Sequence, residues 1–318
     1  AFNEILHAKS INNLKAKNIF SKVQSEIIDG TSPSSKSINI TLEEKPTGEI
    51  SAGAGIGTTG GSIAFSLKEN NYLGKGISLD SSISLGANSV RGLINTTLPN
   101  FRYSDKDLTA SLESIKTTRM KDYGYDTSKN GLSLGTYYEQ FDDLYFSPSS
   151  SIYFETLETD ATASRNLKNQ AGDYFDVDVS YGLNYDKRNQ RFKPTDGYFS
   201  KFTQRLPLIS KNYSLMNGYE YAVFHEISEN MVTSIRFFGK TINSLNDENV
   251  RVSERLYLSS RRLRGFKQGK VGPKDEGDFI GGNYASSVNL ATTLPKFLSV
   301  LDETDFKLFF DAGNIWGI

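Results

Sequence analysis

From Gly48 onward the chain repeats with a period of two, and no other feature constrains its fold as strongly. In residues 77–85, Ile77, Leu79, Ile83 and Leu85 share one face, while Ser78, Asp80, Ser82 and Ser84 share the other. Val177, Val179, Tyr181, Leu183 and Tyr185 alternate in the same way with Asp178, Ser180, Gly182, Asn184 and Asp186. Ile63, Phe65 and Leu67 follow the pattern, as do Leu132, Leu134 and Tyr138. Successive side chains on a strand point to opposite faces, so these runs predict strands with one apolar and one small polar face. About thirteen such segments, most of about ten residues, run to the C-terminus. Turn chemistry separates them at NNYLGKG (70–76), PNFRYSDKD (99–107), KPTDG (193–197) and SEN (228–230).

Two architectures accept such strands. A soluble sandwich or propeller buries the apolar face against other strands, whereas a transmembrane barrel turns it outward to lipid and keeps a polar lumen. Hydrophobic residues are 37% of the chain and aromatics 12%, which suits a thin apolar band better than a thick core. Long strands, small polar partners and aromatics near strand ends favour the transmembrane antiparallel barrel. Bacterial single-chain barrels have an even strand number, so an odd count leads one to expect further strands.

Residues 1–47 differ from the rest. Ile5, Leu6, Ile11 and Leu14 recur at helical spacing up to about residue 18. Two strand-like runs follow, 19–28 and 37–44, around the DGTSPSS turn. A helix followed by a hairpin is a small α+β module. AFNEILHAKS lacks the regions of a signal peptide and reads like the middle of a helix, so a longer precursor is expected.

Several chemistries have little material. The chain has no cysteine and only two histidines, His7 and His225, which leaves no thiolate site and a poor basis for a triad or a metal centre. Its net charge of −1 gives no global field for nucleic acid. Gly55-Ile56-Gly57-Thr58-Thr59-Gly60 matches a dinucleotide fingerprint, but a strand, SIAFSL, follows instead of a helix. No cofactor is expected. The glycines instead mark a weakly packed strand, Gly48 to Gly57. Asp173, Asp176, Asp178 and Asp186 lack the spacing of a calcium loop and are expected on a solvated rim and strand face.

Positive charge concentrates in RRLRGFKQGKVGP, residues 261–273. A lone carboxylate, Asp311, shares the polar face of the last strand with Lys307, Phe309 and Gly313. It requires a cation or water, and the cationic loop is the nearest candidate in sequence. Leu263-Arg264-Gly265-Phe266, followed by Val271-Gly272-Pro273 and Gly281-Gly282-Asn283, resembles the signature of the outer-membrane protein assembly factors, the BamA family of POTRA-barrel proteins. Phe309-Phe310-Asp311-Ala312-Gly313-Asn314-Ile315-Trp316 resembles the family's second strand after that loop. Glu44-Lys45-Pro46-Thr47-Gly48-Glu49-Ile50 is similar to its junction between the last POTRA module and the barrel. Asn70–Gly76 and Phe192–Gly197 are similar to its periplasmic turns.

The resemblance implies that residues 1–47 are the C-terminal part of a periplasmic POTRA domain. Residues 48–318 would be most of a sixteen-stranded barrel in a bacterial outer membrane, with three closing strands expected after Trp316. It implies a loop-to-barrel lock of Arg264, Gly265, Phe266 and Asp311, with Gly272, Pro273, Gly281 and Gly282 supporting the loop. A second carboxylate partner of the arginine maps to Ala291, where this chain has no charge. The implied function is insertion and folding of β-barrel clients by strand pairing at a lateral seam, with Gly48, Ile50, Ser51, Gly53, Gly55 and Gly57 on the seam strand. The implied partners are unfolded client barrels, periplasmic chaperones, accessory lipoproteins and membrane lipid, without nucleic acid or enzymatic chemistry. A related POTRA-barrel secretion transporter is the first alternative. A passive porin or a soluble β-structured binding protein is the second.

Overall fold

The structure, a computed structural model, describes residues 2–30, 35–57, 60–104, 106–118, 123–229, 231–294 and 306–318. Helix α1 (Glu4–Ala16) is capped by Asn3, whose Oδ1 accepts from the Leu6 N–H at 3.1 Å and so satisfies one orphan amide of the first turn. A hairpin of β1 (Phe20–Asp29) and β2 (Lys36–Glu44) follows, with Val23 opposite Leu42 and Ile27 opposite Ile38. Most of its turn, 31–34, lies outside the described residues, as do Thr58, Thr59 and Asp305. Ring atom Nε2 of His7 sits 2.7 Å from Ser25 Oγ, tying α1 to β1. Ile5 and Leu6 on α1 stay exposed, so the hairpin alone does not cover the helix.

The remaining strands are β3 (Gly48–Gly57), β4 (Gly60–Tyr72), β5 (Ile77–Gly86), β6 (Ser89–Leu98), β7 (Asp107–Thr118), β8 (Tyr125–Phe141) and β9 (Leu144–Thr159). Then come β10 (Gly172–Asp186), β11 (Gly197–Ile209), β12 (Ser214–Ser228), β13 (Met231–Ser244), the two-residue β14 (Lys274–Asp275) and β15 (Asp278–Phe279), β16 (Tyr284–Thr293) and β17 (Lys307–Trp316). All but β14 and β15 join one thirteen-stranded antiparallel sheet, each strand beside its neighbours in sequence, with β3 and β17 at the edges. The meander follows from the short turns, because antiparallel neighbours need only a few residues to reverse. Strand β4 directly follows the glycine run, so the apparent dinucleotide fingerprint has no helix N-terminus to hold a phosphate.

Register carries the period of two through the whole sheet. Phe65 stands opposite Ile83, Ile94 opposite Leu112, and Leu132 opposite both Leu112 and Ile152. These side chains are all exposed on the outer face. A continuous outward band of this kind is the lipid-facing surface of a transmembrane barrel. Rings line its end near the 186–197 turn, where Tyr137 stacks on Tyr145 at 5.1 Å and Tyr185, Tyr198 and Tyr221 follow at 6.0 Å intervals. The inward face is polar: Arg91 meets Glu113 at 2.6 Å, and Ser111 donates to Asn95 at 2.5 Å.

Strand length varies around the sheet. The first and last strands, β3, β16 and β17, have 10 residues each, whereas β8 has 17 and β9 has 16. Against β7 most of the extra length of β8, residues 138–141, lies at the end of the β8–β9 turn. An arginine at Leu112, an outward position in the middle of β7, is expected to cost about 2–4 kcal/mol in lipid. Urea unfolding of the barrel in vesicles checks this, with the same change at inward Ser133 expected to be much milder.

Candidate functional site: an inward loop and its two charge clusters

Thirty-nine residues, 245–283, connect β13 to β16, and they fold back into the lumen. The connection carries its own apolar side chains, and these are buried. Val250, Leu256, Leu258 and Leu263 pack with Ile242, Ala285 and Ile315 of the wall. Val252 and Ile280 pack with Tyr125, Leu157, Leu167 and Tyr174. Leu256 pairs with Gly282 by reciprocal backbone hydrogen bonds of 2.8 and 3.1 Å, which closes the base of the loop. The larger part of the buried apolar core therefore lies between loop and wall.

The tip is fixed by Arg264. Its backbone N–H donates to Asp311 Oδ2 at 2.9 Å, its Nε to the same oxygen at 2.7 Å, and its Nη2 to Oδ1 at 2.6 Å. The guanidinium also lies 3.8 Å over the Phe309 ring. Bidentate charge-assisted pairs of this kind are among the stronger protein hydrogen bonds, and the Asp311 bond holds the Arg264 pKa above its ordinary value. Gly265 follows with φ +85°, a conformation open to glycine at little cost. Gly282 lies where a Cβ would come within 2.6 Å of the Trp316 carbonyl, so only glycine lets the loop base approach β17. Gly272 likewise faces Ile315, and Gly281 faces the Leu256 carbonyl. Pro273 accepts a backbone hydrogen bond from Ile280 at 3.2 Å.

Two expectations about this tip require correction. The resemblance puts the second partner position of Arg264 at Ala291, but Ala291 stands opposite Phe309, and Asn289 is the residue opposite Asp311. Asn289 Nδ2 donates to Asp311 Oδ1 and to the Arg262 carbonyl, both at 2.8 Å, so a neutral amide occupies the place of a second carboxylate. Phe266 is 57% exposed and does not join Arg264 and Asp311. Arg262, unassigned from sequence, pairs with Glu220 at 2.8 Å and lies 3.6 Å over Phe238.

A second cluster anchors the first limb of the loop, before the tip. Arg251, 1% exposed, reaches Glu155 of β9 at 3.0 Å and Asp176 of β10 at 2.6 Å, with its guanidinium 4.2 Å over Tyr174. Arg205 of β11 joins Glu254 at 2.5 Å, and Asp178 lies 4.0 Å away. Burial works against the Arg251 charge, but Glu155, Glu254 and Asp176 together more than offset it, and its pKa rises. Asp176 and Asp178 are therefore buried ion-pair partners on the inward face, each 5% exposed, and not residues of a solvated rim. The alternation at 177–186 already placed Asp178 opposite the apolar face. What sequence reasoning missed was Arg251 arriving from 75 residues away.

The glycine-rich strand β3 lies at the sheet edge, hydrogen-bonded to β4 alone. Ile50, Ser51, Gly53 and Gly55 are exposed along it, and a Cβ at Gly53 would meet nothing within 4 Å. His225 approaches Asp196 at 3.3 Å on an exposed end. Among the described residues no cluster of metal-binding side chains occurs.

Arg251→Ala leaves Glu155 and Asp176 buried without their cation, an expected loss of about 3–5 kcal/mol seen as a lower urea midpoint. Asp311→Ala is expected to free residues 261–273 from the lumen, read as faster protease cleavage and stronger thiol labelling of that segment. Unchanged accessibility in the Asp311 variant would show that the second cluster alone holds the loop.

Comparison with known proteins places this geometry in a family. Residues 71–318 match the Omp85 superfamily domain. The chain is 25% identical to the outer membrane protein assembly factor BamA of Neorickettsia risticii, over 88% of this chain and 39% of that protein. It is 24% identical to a SAM50-like protein of Schizosaccharomyces pombe, over 95% of this chain and 67% of that one. The crystal structure of BamA from Haemophilus ducreyi lacking POTRA domains 1–3 superposes with a TM-score of 0.86 at 19% identity, covering 98% of this chain and 66% of that chain. CdiB from Acinetobacter baumannii gives 0.58 at 14% identity, covering 94% and 56%. The chain thus spans about two fifths of its bacterial relative. With the domain match extending from the first turn of the sheet to the last residue, and the inward loop within it, the chain belongs to the Omp85 superfamily.

Proposed function

We propose that the protein inserts and folds β-barrel proteins in a bacterial outer membrane by offering them a strand edge. The observation that carries this reading is β3. Four of its ten residues are glycine, so a strand pairing with its outer edge is held by backbone hydrogen bonds with few side-chain contacts. An unpaired peptide group costs several kcal/mol in hydrocarbon, so a client strand gains most by pairing there as it enters the membrane. Glycines supply no cross-strand side-chain contacts, which keeps such pairing reversible. The work is strand templating, without bond chemistry.

In this reading residues 1–47 are the C-terminal part of a POTRA module on the periplasmic side. The exposed Ile5 and Leu6 of α1 support it, since an α+β module needs further chain to cover that face. Client barrels, periplasmic chaperones and accessory lipoproteins are the partners. The loop, held by Arg264 and Arg251, sets the wall that carries the seam. Secretion of a polypeptide through the lumen is the second reading, supported by the fold likeness to CdiB. The loop packed against both walls argues against a free conduit.

A photo-cross-linking residue at Ser51 or Gly53 of the full-length protein is expected to capture barrel clients during their assembly. An active protein that yields no such adduct would overturn the seam reading. Depletion separates the two functions: loss of resident barrels supports assembly, and loss of one exported passenger with normal resident barrels supports secretion.

A further inference from the structure

A cavity of about 450 Å³ lies between the loop segment 253–257 and the inward faces of β8, β9, β11, β12, β13 and β16. Five cations line it: Lys129, Lys201, Arg205, Lys240 and Arg255. Three carboxylates share the lining, Glu155, Glu220 and Glu254, and each is already engaged. Glu155 holds Arg251, Glu220 holds Arg262, and Glu254 holds Arg205. Among the described residues, Lys129, Lys201, Lys240 and Arg255 have no carboxylate within ion-pair distance. Lys129 lies 4.0 Å over the Tyr153 ring.

Arg255 is the least expected of the four. It is 5% exposed, its Nε donates to the Val250 carbonyl at 3.3 Å, and its Nη1 is buried with no hydrogen-bond partner. A buried guanidinium without a counter-charge is destabilising, and burial draws the Arg255 pKa below its ordinary value. Buried Arg255 on the loop and three wall lysines without ion pairs among the described residues give one cavity more positive charge than its carboxylates balance, which leaves room for an anion.

The geometry points to this cavity as a binding site for a small phosphate-bearing anion. A guanidinium fork matches two oxygens of a phosphate, and lysine ammonium groups serve as point charges around it. The volume accommodates phosphate or pyrophosphate with some water. A bound anion joins Arg255 on the loop to Lys129, Lys201 and Lys240 on the wall, and so adds a third hold on the inward loop. Because it binds the docked arrangement, it stabilises that arrangement by mass action.

The test uses the full-length protein in detergent with inorganic phosphate and then pyrophosphate, at fixed pH and ionic strength balanced with sodium chloride. Calorimetric titration is expected to show one saturable site, and protease cleavage at 261–273 to slow as it fills. At ten times its dissociation constant, one anion raises the ratio of docked to released loop about elevenfold. The Lys201→Gln, Lys240→Gln double variant is expected to lose both effects while folding normally, because neither lysine holds an ion pair in the structure. Lys68→Gln, on the inward face of β4, is expected to retain them. No saturable heat, or equal protection by chloride alone, overturns the site and leaves only screening. Retention of binding in the double variant overturns it as well. Binding of an acidic peptide but not of phosphate would assign the cavity to a client chain.

Discussion

Arg251 is the interaction on which the rest of the lumen depends. A barrel whose apolar face points outward has few inward apolar residues, so its interior is built where the loop meets the wall, by two small apolar clusters and by charge and hydrogen bonding. Arg251 brings together β9, β10 and the loop, and Tyr174 beside it belongs to the apolar cluster that receives Val252 and Ile280. One cation thus sets the position from which the loop descends. Desolvating it is costly, and Glu155, Asp176, Glu254 and the Tyr174 ring offset that cost in a single geometry.

The Arg264 pair has a different character. Arg264 is more exposed than Arg251, with a side chain 30% accessible against 1%, and it meets a single carboxylate. Asp311 accepts from three donors of Arg264 and from Asn289, so its acceptor capacity is used within one patch of wall. The two clusters divide the work: the buried one specifies where the loop enters, and the shallower one fixes its tip against β17. The tip is held as well by the Arg262–Glu220 pair and by buried Leu263, so Asp311 shares its task with neighbours on the loop.

The sheet was legible because period-two alternation survives in almost every strand, and because face assignment needs only parity. Asp311 was read correctly as inward for that reason, as was the polar set Ser78, Asp80, Ser82 and Ser84. The resemblance brought Arg264 to Asp311. Parity alone could not, since it says nothing about a residue 47 positions away in a loop. The same limit hid Arg251. Asp176 and Asp178 were judged by the absence of a calcium spacing, and their buried partners enter from a different part of the chain. Asn289 was missed by two positions, a shift that preserves the face but changes the cross-strand neighbour.

The unequal strand lengths have a consequence for the surrounding bilayer. A strand advances about 3.3 Å per residue and crosses a membrane at a tilt, so a ten-residue strand barely spans the hydrocarbon. The seventeen residues of β8 overshoot it. The protein therefore presents a tall wall through β8 to β10 and lower ones at β3, β5, β6, β16 and β17. Lipid accommodates a short apolar band by thinning. The short side includes β5 and β6 as well as the glycine-rich β3, so the thinner lipid would lie along the strands that open the sheet.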